Sequence, residues 1–98
     1  MGLAAHQEEI IAQLYREMYR KLVVYAENAL NDSLAEEAVQ DTFRIACSKY
    51  DELMNSSNPQ GWLMNTLKNV IRNIRKEQAN LNKYFVMTMS LDDEEFME

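Results

Sequence analysis

Turn-forming residues are nearly absent from this chain: 98 residues include 2 Gly and 1 Pro. So little punctuation excludes a fold of many short strands joined by tight turns and favours a few long helices. Cysteine is too scarce for a disulfide. Cys47 stands alone, and inside a helix it reads as a small buried hydrophobe, with the reducing cytoplasm as the expected compartment. His6, the sole histidine, lies near the start of the chain, which leaves no material for a His-based triad or zinc site. The Glu-x-x-His pairs of di-metal bundles and Gly-rich phosphate loops are also missing, so no metal or other cofactor is expected. No apolar run approaches the ~20 residues of a membrane span. Residues 1–6 lack the basic start and apolar core of a signal peptide.

What is present fits one small helical domain. Hydrophobic residues make up 47%, too many for a disordered chain. The formal net charge of −6 argues against non-specific nucleic-acid binding by the chain as a whole. Charge is segregated, however. Residues 66–83 carry Lys68, Arg72, Arg75, Lys76 and Lys83 against Glu77 alone. Residues 91–98 carry Asp92, Asp93, Glu94, Glu95 and Glu98 with no base. Adjacent acids of this kind, like Glu36 and Glu37, usually form a solvated face.

The spacing predicts three helices. In the first, from about Glu8 to Leu30, Ile11, Leu14, Tyr15, Met18, Leu22, Tyr25, Ala26 and Ala29 recur every three or four residues. Residues 31–33 form a short link, so the next helix should pack antiparallel to the first. Ser33 and Glu36 match a capping box and mark its start. It runs to about Leu53, with Ala35, Val39, Phe43, Ala46 and Tyr50 along one side and Glu37, Asp41 and Arg44 opposite, Gln40 flanking them. Asn55, Ser56, Ser57 and Asn58 make the clearest loop. Asn58 suits an N-cap and Pro59 the first helical position, so a third helix runs from Pro59 to about Gln78, with Gly61 slightly weakening its first turn. The β-branched and aromatic residues 84–89 suggest an extended stretch on the bundle, or an exposed patch able to pair two copies. Residues 91–98 suggest a mobile, solvated tail. The division is residues 1–82, helical domain, and 83–98, extended or acidic linker.

On a helical wheel, Leu63, Leu67, Val70, Ile71 and Ile74 form one core stripe of the third helix. Lys68, Arg72, Arg75 and Lys76 occupy the adjoining arc, and Trp62, Asn65, Asn69 and Asn73 continue it. Four cations, three amides and an indole on one arc have two readings. In the first, the basic residues solvate a helix exterior and Trp62 plugs the end of the core. Alternatively, the cations neutralise phosphates, the amides bond base edges and the indole stacks on an unpaired base.

Three blocks in order resemble region 2 of bacterial sigma factors of the extracytoplasmic-function type. The first is Leu14-Tyr-Arg-Glu-Met-Tyr-Arg-Lys-Leu22, similar to the opening helix of that family. The second is Ala35-Glu-Glu-Ala-Val-Gln-Asp-Thr-Phe43, which resembles A-E-D-L-V-Q-E/D-T-F. The third is Gly61-Trp-Leu-Met-Asn-Thr-Leu-Lys-Asn69, which resembles W-L-x-x-I-A-R-N. Together they span about residues 10–78.

The resemblance implies an all-α domain, a small bundle of three main helices, that docks on the clamp helices of core RNA polymerase and opens the −10 promoter element. By position, Glu37, Gln40, Asp41 and Arg44 would face polymerase. The loop Asn55, Ser56, Ser57 and Asn58 would hold a flipped-out base. Trp62, Asn65, Lys68, Asn69 and Arg72 would lie along the melting fork, with Arg75 and Lys76 extending the basic DNA-binding face. An anti-sigma protein covering these surfaces is a further implied partner. The domain would be neither an enzyme nor membrane-bound.

Some positions depart from the family pattern. Glu37 stands for the usual Asp, Ala38 for Leu, Leu67 for Ala and Lys68 for Arg, while Asn73 stands where Asp is common. These changes keep charge or helix tendency. No segment resembles region 4, which reads the −35 element, so promoter selection by these residues alone should be weak. Two other readings remain at this stage: a helical protein–protein interaction module with no DNA role, and a metal-carboxylate bundle enzyme.

Overall fold

The computed structural model describes the backbone of residues 2–97 and the side chains of residues 2–84, and every regular element among these is a helix. In chain order they are α1 (Ala5–Ala29), α2 (Asp32–Ser48), α3 (Tyr50–Asn55) and α4 (Pro59–Met97). Helix α2 lies at the centre and touches both α1 and α4, while α3 rests on α2 and α4. Four helices therefore replace the three expected.

The extra helix comes from a break at Lys49. Its φ of −114° and ψ of 37° leave the helical region, and it serves both as the C-cap of α2 and as the residue before α3. Its N–H still donates to the Ile45 carbonyl at 2.8 Å, and its carbonyl accepts from Leu53 N–H at 3.0 Å. The backbone thus stays bonded on both sides of the bend. Neither Gly nor Pro marks it, and a continuous helix to Leu53 is the natural expectation from spacing alone.

Capping chemistry sets the other boundaries. Asn31, not Ser33, caps α2: its side-chain Oδ1 accepts from Leu34 N–H at 2.9 Å. The capping box at Ser33 and Glu36 is thus set aside in favour of the Asx cap two residues earlier, a type at least as favourable. Helix α1 starts three residues before Glu8, where Gln7 Oε1 accepts from the otherwise orphaned Ala4 N–H at 2.9 Å. At α4 the expected cap is present. Asn58 Oδ1 accepts from Gly61 N–H at 3.0 Å, Pro59 opens the helix, and Ser56 Oγ accepts from Asn58 N–H at 3.1 Å. Gly61 does more than weaken this turn. A Cβ there would come within 2.5 Å of Asn58 Nδ2, so the missing side chain leaves room for the cap.

The far end of α4 differs most from expectation. The backbone remains helical to Met97 instead of ending near Gln78, and residues 84–89 are helical, not extended. From Arg75 to Tyr84 every residue is exposed. What residues 85–89 pack on, and whether the side chains of 91–98 are solvated, lie outside the described residues.

The core follows the predicted stripes. Leu22, Ala26, Ala35, Val39, Ala46, Leu63 and Leu67 are fully buried, with Met18, Phe43, Val70 and Ile71 close behind. Burying one Leu or Val side chain contributes roughly 1.5–3 kcal/mol. Helix α2 buries a broader face than its stripe implied, because Ala38 and Thr42 are also fully enclosed. Small side chains at 35, 38 and 46 let the neighbouring helices approach closely. The Thr42 hydroxyl donates to the Ala38 carbonyl at 2.8 Å, so no polar group is stranded there.

Three expected core positions sit at the rim instead. Tyr15 and Tyr25 are 38% and 39% exposed, and Cys47 is exposed. The buried-hydrophobe reading of Cys47 is therefore corrected: at the end of α2, next to the break, it turns off the Phe43–Ala46 face. Tyr15 stacks with Tyr19 and Phe43 at centroid distances of 4.9 and 4.8 Å. Partial burial, then Tyr19 and Glu36 nearby, raise its phenol above the usual tyrosine range.

Candidate nucleic-acid and protein interface

Helix α4 carries most of the candidate side chains, and its two edges face different neighbours. On the α2 side a groove of about 330 Å³ is lined by Trp62, Asn65, Thr66, Asn69, Val70 and Asn73 of α4, with Ile45, Lys49 and Glu52 opposite. Trp62 is half-buried against the core, neither fully plugged nor fully free. Thr66 donates its hydroxyl to the Trp62 carbonyl at 2.8 Å, so that proton is already engaged. Three amides and an indole edge therefore share one concave surface.

The same groove continues toward the C-terminal half of the bundle. A second hollow of about 300 Å³ shares Ile45, Val70 and Asn73 with the first and adds Glu37, Asp41 and Arg44 from α2 and Ile74 and Glu77 from α4. Glu37, Gln40 and Arg44 are exposed and Asp41 is half-buried, as the wheel predicted. Asp41 and Arg44 form an ion pair one helical turn apart. Exposed pairs of this kind add little stability, generally under ~1 kcal/mol, so the pair's main effect is to fix the arrangement of charge on the surface.

On the α1 side a separate groove of about 360 Å³ is lined by Lys68, Ile71, Arg72 and Arg75 of α4 and by Tyr25 and Ala29 of α1. The Lys68 ammonium lies 5.6 Å from the centroid of the Tyr25 ring. Arg72 donates to Asn69 Oδ1 at 3.3 Å across the crest of the helix. Among the described residues, none of these three cations is in an ion pair.

The polar arc read from the sequence as one face is therefore two edges. Amides and the indole turn toward α2 and α3, while Lys68, Arg72 and Arg75 turn toward α1. Lys76 is exposed and lines neither groove. The loop Asn55, Ser56, Ser57 and Asn58 adjoins the start of α4, and none of its residues lines the Trp62 groove. Asn58 is already engaged, since its Oδ1 caps α4. Asn55, expected in the loop, is instead the last residue of α3; it and Ser57 are exposed without a role in capping.

Sequence reasoning missed three contributors. Lys49, at the break between α2 and α3, and Glu52 of α3 line the first groove. Tyr25 was assigned to the core, although an aromatic at the margin of a stripe often ends up half-exposed. Among the described residues no group of His, Cys, Asp and Glu side chains converges on a cation site, and no helix is long and apolar enough to cross a membrane.

Comparison with family models, curated proteins and solved structures finds no match to this chain.

Proposed function

We propose that this chain is a transcription-initiation domain, similar to region 2 of extracytoplasmic-function sigma factors, that binds core RNA polymerase and recognises and melts the promoter −10 element in the cytoplasm. One observation carries the reading. The three resembling blocks fold onto one bundle, and Glu37, Gln40 and Asp41 of the second block, with Arg44 just after it, turn away from the core. A helix whose apolar side packs between two others and whose polar side holds a fixed Asp41–Arg44 pair is suited to docking on a second helical protein.

The DNA side of the proposal rests on α4. Its exposed cations supply phosphate neutralisation, and its amides with Trp62 supply contacts to a base edge or face. With a net charge of −6, the chain would bind DNA weakly by itself and depend on polymerase to hold the template. An anti-sigma protein would act by covering the α2 surface. No catalytic role and no cofactor are proposed.

The test is retention of the chain on immobilised core RNA polymerase, in parallel with Asp41→Lys. Asp41 is half-buried and paired with Arg44, so a thermal melt of the variant alongside confirms that it is folded. Binding by wild type and its loss in the variant are expected. No binding by either folded protein would remove the sigma reading and leave a helical interaction module with no DNA role.

A further inference from the structure

Helix α4 outruns the bundle that holds it. At 1.5 Å per residue its 39 residues span about 58 Å, and the protein is 67 Å long against 20 Å in its thinnest direction. The radius of gyration is 18.6 Å, against about 13 Å for a compact chain of this length. The apolar stripe of α4 outruns the bundle as well. Leu67, Ile74 and Leu81 stand seven residues apart and are fully buried, half-buried and 68% exposed in turn. From Arg75 to Lys83 every side chain is exposed. Seven residues is the interval at which one helix presents a seam to another. Helices in proteins are stabilised mainly by packing an apolar face, not by propensity. A stripe carried past its own bundle is therefore suited to a second helix.

Charge selects which helix that is. The cations between Lys68 and Lys83 and the acids from Asp92 to Glu95 lie on this one helix, their centres about 27 Å apart along its axis. A basic partner would complement only the acids, and an acidic partner only the cations. A second copy complements both, provided that the helices run antiparallel; laid parallel, each run would meet its like.

We propose that this chain self-associates through the C-terminal half of α4, as an antiparallel helix pair in which the basic run of each copy lies alongside the acidic run of the other. The midpoint between the two runs sets the two-fold axis near Tyr84. The overlap then extends from about residue 72 to residue 97, roughly 39 Å of helix axis. It begins where α4 leaves the bundle, so the two bundles stand at opposite ends of the pair. The contact is self-complementary, as a two-fold interface requires. Self-association does not depend on the transcription reading.

The experiment is sedimentation velocity of the full chain over a concentration series, with circular-dichroism melts to confirm that each variant is folded. Wild type should pass from monomer to dimer as concentration rises. Raising salt from about 0.05 to about 0.5 M should weaken the dimer, because opposite charges are screened. Leu81→Gln keeps helix tendency but removes the apolar seam from both copies, so dimerisation should weaken about tenfold or more. Arg75→Glu combined with Lys76→Glu should be monomeric alone, as should Asp92→Lys combined with Asp93→Lys. Mixed together, these two doubly substituted chains should pair. A wild type that stays monomeric at every concentration would overturn the proposal and pass this half of α4 to another protein. A dimer indifferent to Leu81→Gln would overturn it by placing the contact elsewhere. A dimer that tightens as salt rises would also overturn it, since only like runs in a parallel pair gain from screening.

Discussion

The two edges of α4 are built from one helix at one register, yet they present opposite chemistry. On the α2 side, Glu37, Asp41, Glu52 and Glu77 are interspersed with Lys49 and Arg44, so the charge is mixed and the α4 contribution is amides and an indole. On the α1 side, Lys68, Arg72 and Arg75 meet Tyr25 and Ala29, and no acid lines the groove. The difference comes from the neighbouring helix as much as from α4. A protein with net charge −6 can offer phosphate a local basic surface only where its acids are kept away. Here the acids of α2 and α3 line the opposite edge of α4 from its cations. Whole-chain charge is thus a poor guide to what each groove would attract.

The most disruptive way to break this comparison is to remove the ridge that both edges share. Leu67 is fully buried on the inner side of α4, between the two grooves. Leu67→Ala should destabilise the domain by about 2–5 kcal/mol, combining lost burial with a cavity. For a domain of this size that is a large share of the total stability. Urea unfolding should show the midpoint falling sharply, with polymerase retention and oligonucleotide binding lost together as the protein unfolds. If either function survived at full strength, the two edges would not depend on one core.

A sharper separation comes from reversing charge on one edge only. Lys68→Glu combined with Arg72→Glu leaves α2 untouched, and both side chains are exposed, so folding should be preserved. On the proposed function, promoter opening, read by permanganate reactivity of unpaired thymines with polymerase present, should fall tenfold or more. Retention on core polymerase should stay at wild-type level. Each lost phosphate contact should also reduce the salt dependence of DNA binding, by a slope of about 0.7 per contact for a single strand. Unchanged opening would leave the basic edge as a solvated helix exterior and favour the interaction module without a DNA role.

How much of this was legible beforehand varied with the kind of signal. Periodicity gave the core of α1, α2 and α4, because burial of an apolar stripe is the main force that decides where a helix faces. The polar positions Glu37, Asp41 and Arg44 followed from the same wheel. The break at Lys49 was not legible. No Gly or Pro marks it, and nothing in the local propensity of residues 45–53 distinguishes it from a continuous helix. The division of the α4 arc into two edges was also hidden, since a wheel gives angles on one helix and not the identity of the neighbour on each side. The extension past Gln78 was misread for a different reason. β-branched and aromatic residues at 84–89 suggested an extended chain, but no Gly or Pro follows Gly61, and that absence was the better signal.

The loop before α4 gives the smallest effect and separates two jobs assigned to one residue. Asn58 was read both as a cap and as part of a loop that holds a flipped base. Its Oδ1 accepts from Gly61 N–H, while its Nδ2 faces the space a Cβ on Gly61 would fill. Asn58→Asp keeps a capping oxygen and places a negative charge at the helix N-terminus, so thermal stability should hold or rise slightly. Asn58→Ala removes the cap and should cost about 1 kcal/mol. Measured together, the two variants isolate the amide's role toward DNA. The amide Nδ2 can donate to a base and a carboxylate cannot, so an equally stable Asn58→Asp protein that opens promoters poorly would assign Asn58 to base contact as well as capping. Full activity in Asn58→Asp would confine the residue to the cap, leaving Asn55 at the end of α3 and Ser57 in the loop free to meet a base.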